Sequence, residues 1–319
     1  MRIHVLALDH VFDLGLAACL DVFQTANELI RMADLAVAPF DVRVVGVRRD
    51  VRTAQGLRVP VAPVTGPAPD CVIVPAIAYK MPEALQAALG RPDIADAVAT
   101  VRRWHRLGAT TAAACIGTFV LAESGLLDGQ RATTTWWLAP LFRQRYPAVR
   151  LEESRMVVPS GRVVTAGAAL SHVDLALWLV RGASPQLADL VARYLIVDAR
   201  PSQSAYAIAD HLAHADPVVQ RFEAWARRHL ADRFSLDAAA RAAGASKRTL
   251  ARRTDRVLGT TPLDFVQRLR VERAVHLLKT ADASVDDVAA QVGYADGVTL
   301  RALLRRRLKL GVKEIRRAS

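Results

Sequence analysis

Short apolar runs alternate with amphipathic stretches through the first 180 residues, and this alternation restricts the fold more than any other feature of the sequence. The short runs predict strands, and the stretches with apolar residues at a period near 3.6 predict helices. The predicted strands are Ile3–Leu8, Phe40–Val47, Cys71–Pro75, Ala109–Ala114 and Val163–Ala166, and the predicted helices are Leu16–Met32, Ile94–Leu107 and Ser171–Val180. Alternating strands and helices predict an α/β domain whose largely parallel sheet is covered on both faces.

The chain length of 319 residues predicts two domains of roughly 150 residues each. No apolar run reaches the ~18 residues of a membrane span, and Asp9 interrupts the first apolar run too early for a signal peptide. We therefore expect a cytoplasmic protein that does not enter a membrane. Cys19, Cys71 and Cys115 lie far apart, which excludes a disulfide framework. No metal-ligand spacing is present, so we expect neither a metal nor a cofactor.

Positive charge is concentrated in the last third of the chain. Residues 1–200 contain 21 Lys/Arg and 18 Asp/Glu, whereas residues 201–319 contain 22 and 13. An excess confined to one segment is typical of a module that binds a polyanion. A soluble, arginine-rich surface would give the same excess, so the helix pattern of the segment must decide between the two.

That segment contains two copies of one helix-turn-helix spacing. Ala240 precedes Gly244 by four positions, and Ala289 and Gly293 repeat the interval 49 residues later. Two closely crossing helices need a small residue on the first helix and a glycine in the turn. A helix from Pro262 through Leu278 is predicted to join the units, with about 27 Å of rise. That rise would place them near one turn of DNA apart, about 34 Å.

We expect the first unit to read bases and the second to contact mainly phosphates. The first recognition helix begins with polar and basic side chains, whereas the arginines of the second lie late in the helix, where a merely solvated face is the alternative. The predicted DNA-contacting residues are Ser246, Lys247, Arg248, Thr249, Arg252, Arg253, Thr299, Arg301, Arg305 and Arg306.

Residues Thr111–Ala122 run from a strand of small residues into Cys115, then Gly117, then a helix. This layout is typical of a nucleophile elbow, in which small neighbours permit a tight turn. Backbone N–H groups at the start of the following helix can hold an anion or an oxyanion.

Residues Cys115–Gly129 and Ala132–Trp136 resemble the DJ-1/PfpI-type domain, a branch of the class I glutamine-amidotransferase-like fold. They are most similar to the form fused to AraC-type regulators, the GlxA family, and Phe222–Arg317 resembles the AraC-type DNA-binding domain. The resemblance implies a parallel-sheet α/β domain over residues 1–200 and a linker over 201–216. An all-α domain with two helix-turn-helix units would follow over 217–319.

The sequence departs from the catalytic pattern that the resemblance implies. Enzymes of the superfamily carry a histidine where this chain has Ile116, and a further histidine is replaced by Thr135. Gly15 occupies the position of their acidic residue, and Asp13, two positions earlier, is the alternative to it. A thiolate nucleophile needs a base and an orienting group, so we expect a ligand pocket without catalysis. The predicted ligand-binding residues are Asp13, Cys115, Ile116, Gly117, Thr135 and Trp136.

These observations predict a sequence-specific DNA-binding transcription regulator, an activator by analogy with the family. The first domain would form a homodimer and sense a small-molecule effector, such as an amino acid or a related amine or carboxylate. The second would bind double-stranded DNA and act on RNA polymerase. The alternative is a Cys-dependent amidase or glyoxalase-like hydrolase with a basic appendage.

Overall fold

The computed structural model describes residues 1–198, 200, 203, 216–258, 260–280, 283–308 and 311–317. The chain divides into two compact units, Met1–Ala207 and Ile208–Ser319, and each is described by itself. The division lies within the predicted linker, 201–216. Of that linker, residues 201, 202 and 204–215 lie outside the described residues.

A seven-stranded sheet forms the centre of the first unit. The strands of this unit are β1 Arg2–Leu6, β2 Asp41–Gly46, β3 Val51–Arg52, β4 Arg58–Val59, β5 Ala62–Pro63, β6 Cys71–Val74, β7 Thr110–Ala114, β8 Arg131–Ala132, β9 Arg150–Leu151, β10 Val157–Ser160 and β11 Val163–Ala166. The order in the sheet is β10-β11-β7-β6-β1-β2-β5. All neighbours are parallel except β10 and β11. The remaining strands form two small ribbons, β3–β4 and β8–β9.

Helices cover both faces of this sheet, as the alternating pattern predicts. They are α1 Asp13–Met32, α2 Pro82–Leu89, α3 Pro92–Arg106, α4 Gly117–Glu123, α5 Ala139–Arg145, α6 Ser171–Ala183 and α7 Pro185–Tyr194. Strand β6 shows the two-sided burial directly. Val72 and Val74 pack into the core beneath α2–α5, whereas Cys71 and Ile73 pack into the core beneath α1, α6 and α7. The predicted fold class is confirmed, and the ends of the predicted elements differ from the observed ones by at most three residues.

The second unit consists of helices in the described ranges. They are α8 Pro217–Arg228, α9 Leu236–Ala242, α10 Lys247–Leu258, α11 Pro262–Thr280, α12 Val285–Gln291, α13 Gly297–Leu308 and α14 Val312–Arg317. The pairs α9–α10 and α12–α13 are the two predicted helix-turn-helix units, joined by α11. Gly244 and Gly293 have φ values of +64° and +76°, and glycine adopts this region without a steric cost.

Within the described ranges, no helix is long and apolar enough to cross a membrane. The same residues contain no group of three or more His, Cys, Asp or Glu side chains that could hold a metal ion.

Candidate functional site

Cys115 lies at the carboxyl end of β7 in a strained backbone conformation. Its φ is +56°, a region that costs a non-glycine residue about 1–2 kcal/mol. Its amide donates to the Ala166 carbonyl at 2.9 Å, and the Thr134 hydroxyl donates to the Cys115 carbonyl at 2.9 Å. These contacts hold the turn in place, so the predicted elbow geometry is present.

Gly117 starts α4 directly against the end of β6. A Cβ atom at this position would lie 2.2 Å from the Val74 carbonyl oxygen and 2.6 Å from that of Pro75. Only a glycine permits this approach, because both obstacles are backbone atoms. The close packing places the start of α4 in the interior of the domain.

Burial keeps the Cys115 thiol protonated at neutral pH. The residue is 3% exposed, and removal from water raises its pKa to about 11. The backbone at Ala169 and Ile116 and the Thr135 hydroxyl lower the pKa, but by less than burial raises it. A nucleophilic cysteine requires the opposite balance, a thiolate favoured near pH 7.

His172 is buried beside the elbow but is engaged elsewhere. Its Nε2 accepts from the Ala76 amide at 3.1 Å, so its Nδ1 carries the proton and donates to the Ala169 carbonyl at 2.5 Å. Burial lowers its pKa to about 4, which keeps the ring neutral. A Cβ at Gly15 would lie 2.7 Å from two atoms of this ring. The imidazole thus fills the space that an acidic side chain at position 15 would need.

Several polar atoms at the elbow and at the start of α1 are buried without a hydrogen bond of normal geometry. Thr118 and Thr135 are fully buried, and neither hydroxyl makes a hydrogen bond of normal geometry to a described residue. Asp13 on α1 accepts from the Gln55 amide through Oδ2, whereas its buried Oδ1 has no such partner. Buried polar groups are normally satisfied, so these atoms are candidate partners for a polar ligand group.

The structure brings most of the predicted ligand-binding residues together. Thr135 lies near the Cys115 thiol, and Ile116 and Gly117 follow the cysteine along the chain. Trp136 begins a 3-10 turn and is 9% exposed, with its ring 5.2 Å from that of Trp137. Asp13 lies at the start of α1, and no described contact joins it to the cysteine.

Gln203 is a buried residue at this site for which the sequence predicted no role. Its side-chain amide donates to the carbonyls of Thr134 and Glu153 at 2.9 and 2.6 Å, and its Oε1 accepts from the Ala168 amide at 2.9 Å. A Cβ at Gly167 would lie 2.5 Å from that Oε1. The chain that leads to the second unit is thereby fastened to segments on both sides of the elbow.

A charged cleft of about 630 Å³ lies beyond the carboxyl ends of β1 and β2. Its lining residues are Asp9, Arg48, Arg49, Asp50, Arg52, Pro92 and Asp93. Asp9 accepts from the Arg52 amide at 3.0 Å, and Asp93 pairs with Arg91 at 2.5 Å. The carboxylates of Asp9 and Asp93 therefore already have hydrogen-bond partners within the protein. The exposed Arg49 and Arg52 side chains give the cleft the capacity to bind the carboxylate of a ligand. The run of arginines after β2 was the available sequence signal.

The first recognition helix, α10, presents part of the predicted DNA-contacting set. Ser246 caps the helix, since its hydroxyl accepts from the Thr249 amide at 3.1 Å. Arg248 and Arg252 are exposed and lie four residues apart, on one face. Lys247 is exposed as well, and its Nζ lies 2.9 Å from Asp237.

Arg253, also in the predicted set, is tied into the domain. Its guanidinium contacts both carboxylate oxygens of Asp216, at 3.1 and 3.2 Å. Asp216 is 4% exposed and caps α8 by accepting from the Val218 amide at 2.8 Å. Burial raises the pKa of this carboxyl, but the amide bonds and Arg253 outweigh burial and lower it.

The second recognition helix, α13, buries one face and exposes the other. Leu300, Leu303 and Leu304 are buried, whereas the predicted DNA-contacting residues Thr299, Arg301, Arg305 and Arg306 are all exposed. Arg307, the last of three consecutive arginines, pairs with Asp264 of α11. The three arginines therefore do not act as one solvated group.

Arg270 of α11 fixes the second helix-turn-helix unit, α12–α13, to the preceding part of the DNA-binding domain. The residue is 7% exposed, and it donates to the carbonyls of Leu230 at 2.9 Å and Asp232 at 2.6 Å. A Cβ at Gly293 would lie 2.4 Å from the Leu230 carbonyl oxygen and 2.7 Å from Arg270 Nη2. The turn of the second unit thus requires glycine for its packing as well as for its φ.

Comparison with known proteins agrees with this geometry. Residues 1–181 match the model of the DJ-1/PfpI family, which covers more than half of the chain. The chain belongs to the DJ-1/PfpI family. Residues 239–318 of this DJ-1/PfpI protein match a helix-turn-helix domain model. The predicted combination of a DJ-1/PfpI domain with an AraC-type helix-turn-helix domain is confirmed.

Relatives of this DJ-1/PfpI protein include transcriptional regulators. The HTH-type transcriptional regulator CdhR of Pseudomonas aeruginosa is 30% identical over 61% of the chain and 59% of CdhR. The HTH-type transcriptional regulator GlxA of Rhizobium meliloti is 29% identical over 65% of the chain and 66% of GlxA. The matches therefore span about three fifths to two thirds of these relatives.

The fold of the first unit also matches a solved structure. A ThiJ/PfpI family protein from Pseudomonas syringae superposes with a TM-score of 0.52 at 18% identity. The match covers 70% of this chain and 86% of that protein. At this identity the similarity concerns the fold alone.

Proposed function

We propose that this DJ-1/PfpI protein is a sequence-specific transcription regulator, an activator that responds to a small-molecule effector. The observation that carries the proposal is the pair of capped helix-turn-helix units joined by the 19-residue α11, with exposed arginines on both recognition helices. A helix of that length spaces the units by about 28 Å, close to one turn of DNA.

The two helix-turn-helix units contact different parts of the DNA. Arg248 and Arg252 share one face near the start of α10, where side chains of a recognition helix reach base edges. Arg305 and Arg306 lie in the last turn of α13, where phosphates are the nearer partners. Selection of bound duplexes from a random pool tests the function, because a chain that enriches no sequence is not such a regulator.

The effector site is the elbow, formed by Cys115, Ile116, Gly117, Thr135 and Trp136, with Asp13 at its edge. The unpartnered Thr118 and Thr135 hydroxyls support a ligand that hydrogen-bonds, and Asp13 supports a ligand with an amine. An amino acid or a related amine or carboxylate has both groups. A thermal-shift screen of such compounds provides the first test.

Two variants separate the elbow from the charged cleft. Thr135→Val removes only a hydroxyl at the elbow, and Arg49→Ala removes one exposed cation of the cleft. An effector held at the elbow loses its thermal shift in the first variant and keeps it in the second. The reverse result would move the effector site to the cleft.

Gln203 couples the effector site to the DNA-binding domain. Its partners Thr134 and Ala168 adjoin Thr135 and Ala169, two of the three residues that contact the Cys115 thiol. A ligand that displaces either segment changes the hydrogen bonds of Gln203. Allostery is a coupling free energy between two sites, so Gln203→Ala should retain both binding events and lose their mutual effect. The exposed Gln220→Ala provides the matched control.

The protein acts without catalysis at Cys115, as a cytoplasmic homodimer that contacts RNA polymerase. A thiol with its pKa raised to about 11 and a histidine engaged with Ala76 and Ala169 support a binding role. Light scattering of the protein on its selected duplex tests the dimer. Amidase or glyoxalase turnover that disappears in Cys115→Ala would overturn the non-catalytic proposal.

A further inference from the structure

The two recognition helices begin in the same way and can be compared position by position. Ser246 accepts from the Thr249 amide at 3.1 Å, and Asp296 accepts from the Thr299 amide at 2.7 Å. Both are caps that bind the amide three residues later, so the helices correspond with an offset of 50 residues. The buried Leu250 then corresponds to the buried Leu300, which confirms the register.

This register places apolar residues at the reading positions of the second helix. Val298 corresponds to Arg248, and Ala302 corresponds to Arg252. Val298 is 70% exposed, and Ala302 is exposed one turn later on the same face. The face opposite to them contains the buried leucines of α13. The centre of the outward face is therefore apolar in the second unit and basic in the first.

The start of α13 is held rigidly, so Val298 is presented at a fixed place. The Gly297 amide donates to Asp286 of α12 at 2.7 Å, and the Asp296 cap fixes the next turn. A Cβ at Gly297 would lie 2.9 Å from the Asp286 carboxylate. Helix α12 thus sets the position of the first turn of α13.

We propose that Val298, with Ala302, reads thymine by contact with its C5-methyl group. The first residues of a recognition helix lie at base edges in the major groove. Neither side chain has a hydrogen-bond donor, and the thymine methyl is the apolar group that a major-groove edge displays. The exposed Arg301 and Arg305 lie beside this pair on one edge of the helix and the exposed Arg306 lies on the other, where they can neutralise phosphates. The inference rests on DNA binding by the second unit, as proposed above.

The test removes one methyl group at a time from the DNA. A site is first selected from random duplexes with the full chain, and each thymine is then replaced by deoxyuridine, which lacks only the C5-methyl. A methyl group removed from water contributes about a fourfold change in affinity. We expect this loss at one or two thymines, about one turn of DNA from the guanines that Arg248 reads.

Two variants complete the test. Val298→Ala should weaken binding to the thymine duplex and abolish the deoxyuridine penalty at one position. Arg306→Ala should weaken binding to all duplexes and keep the penalty. A melting curve of each variant checks its fold, and the exposure of both side chains makes a large stability change unexpected.

Three results would overturn the inference. They are a selected site without thymine in the second half, no deoxyuridine penalty in the wild type, and an equal penalty in wild type and Val298→Ala. A chain that binds no duplex at all would instead overturn the proposed function, so the two failures are distinguishable.

Discussion

Two adjacent buried threonines offer a direct test of the effector site. Thr134 and Thr135 are both fully buried, but only the Thr134 hydroxyl makes a hydrogen bond of normal geometry, to the Cys115 carbonyl at 2.9 Å. Thr134→Val should lower the free energy of unfolding by about 1 kcal/mol, the net value of one such bond. The loss stays near this value because the carbonyl keeps the Thr118 amide as a partner.

Thr135→Val should have the opposite effect without effector. It removes a buried hydroxyl that lacks a well-formed hydrogen bond, so the free energy of unfolding should stay constant or rise by up to about 1 kcal/mol. The two variants should therefore differ by about 1–2 kcal/mol, or roughly 2–8 °C in melting temperature for a domain of this size. Effector affinity should fall at least tenfold in Thr135→Val and stay unchanged in Thr134→Val, because the Thr134 hydroxyl is already bound to the Cys115 carbonyl.

Urea unfolding followed by tryptophan fluorescence can measure this difference, since four of the five tryptophans lie in the first unit. Thr134→Val serves as the matched control, with the same change of atoms at the neighbouring position. Equal destabilisation of the two variants would show that the Thr135 hydroxyl is already satisfied, and would refute the assignment of the elbow as the effector site.

Three further predictions follow from the titration and pairing of single side chains. Iodoacetamide should label native Cys115 only at strongly alkaline pH, because burial raises its pKa to about 11; a plateau of labelling below pH 8.5 would contradict this. His172 has a pKa of about 4 in the folded chain against about 6.5 unfolded, so the unfolded state binds more protons between these values. Stability should fall by about 3 kcal/mol as pH drops from 6.5 to 4, more steeply than in His172→Gln. Arg253→Ala should lower the free energy of unfolding of the C-terminal domain by about 1 kcal/mol with little change in base preference. Arg248→Ala should weaken the binding free energy by about 1–3 kcal/mol for duplexes that keep the preferred base at one position. Melting curves and affinities for selected and scrambled duplexes compare these two variants.

Hydrophobic periodicity predicted the buried strands and helices, and residue spacing predicted the turns that require a glycine. The strands of the sheet are recognisable because continuous apolar runs are typical of strands buried on both sides. The elbow and the two turns are recognisable because Gly117, Gly244 and Gly293 occupy places where a Cβ or a left-handed backbone is costly. Such constraints act within a few residues, so the local sequence reveals them.

Contacts between residues far apart in the chain could not be predicted from the local sequence. Gln203 bonds to residues 35 to 69 positions earlier, and nothing in its own neighbourhood indicates burial. Arg253 lies in a basic run that predicts DNA contact, yet a carboxylate 37 residues earlier binds it. The partner of a charged side chain depends on the three-dimensional fold, and composition predicts only the total charge.

The packing of His172 against Gly15 restricts which side chains position 15 can accept. A single substitution that introduces an acidic side chain at position 15 would drive its Cβ to 2.7 Å from the imidazole. A substitution of His172 alone would leave the Ala76 amide without its acceptor. Each step by itself damages the fold, so the two replacements would have to occur together. In evolutionary terms, Gly15 and His172 are coupled positions, because exchange at either one alone passes through a destabilised protein.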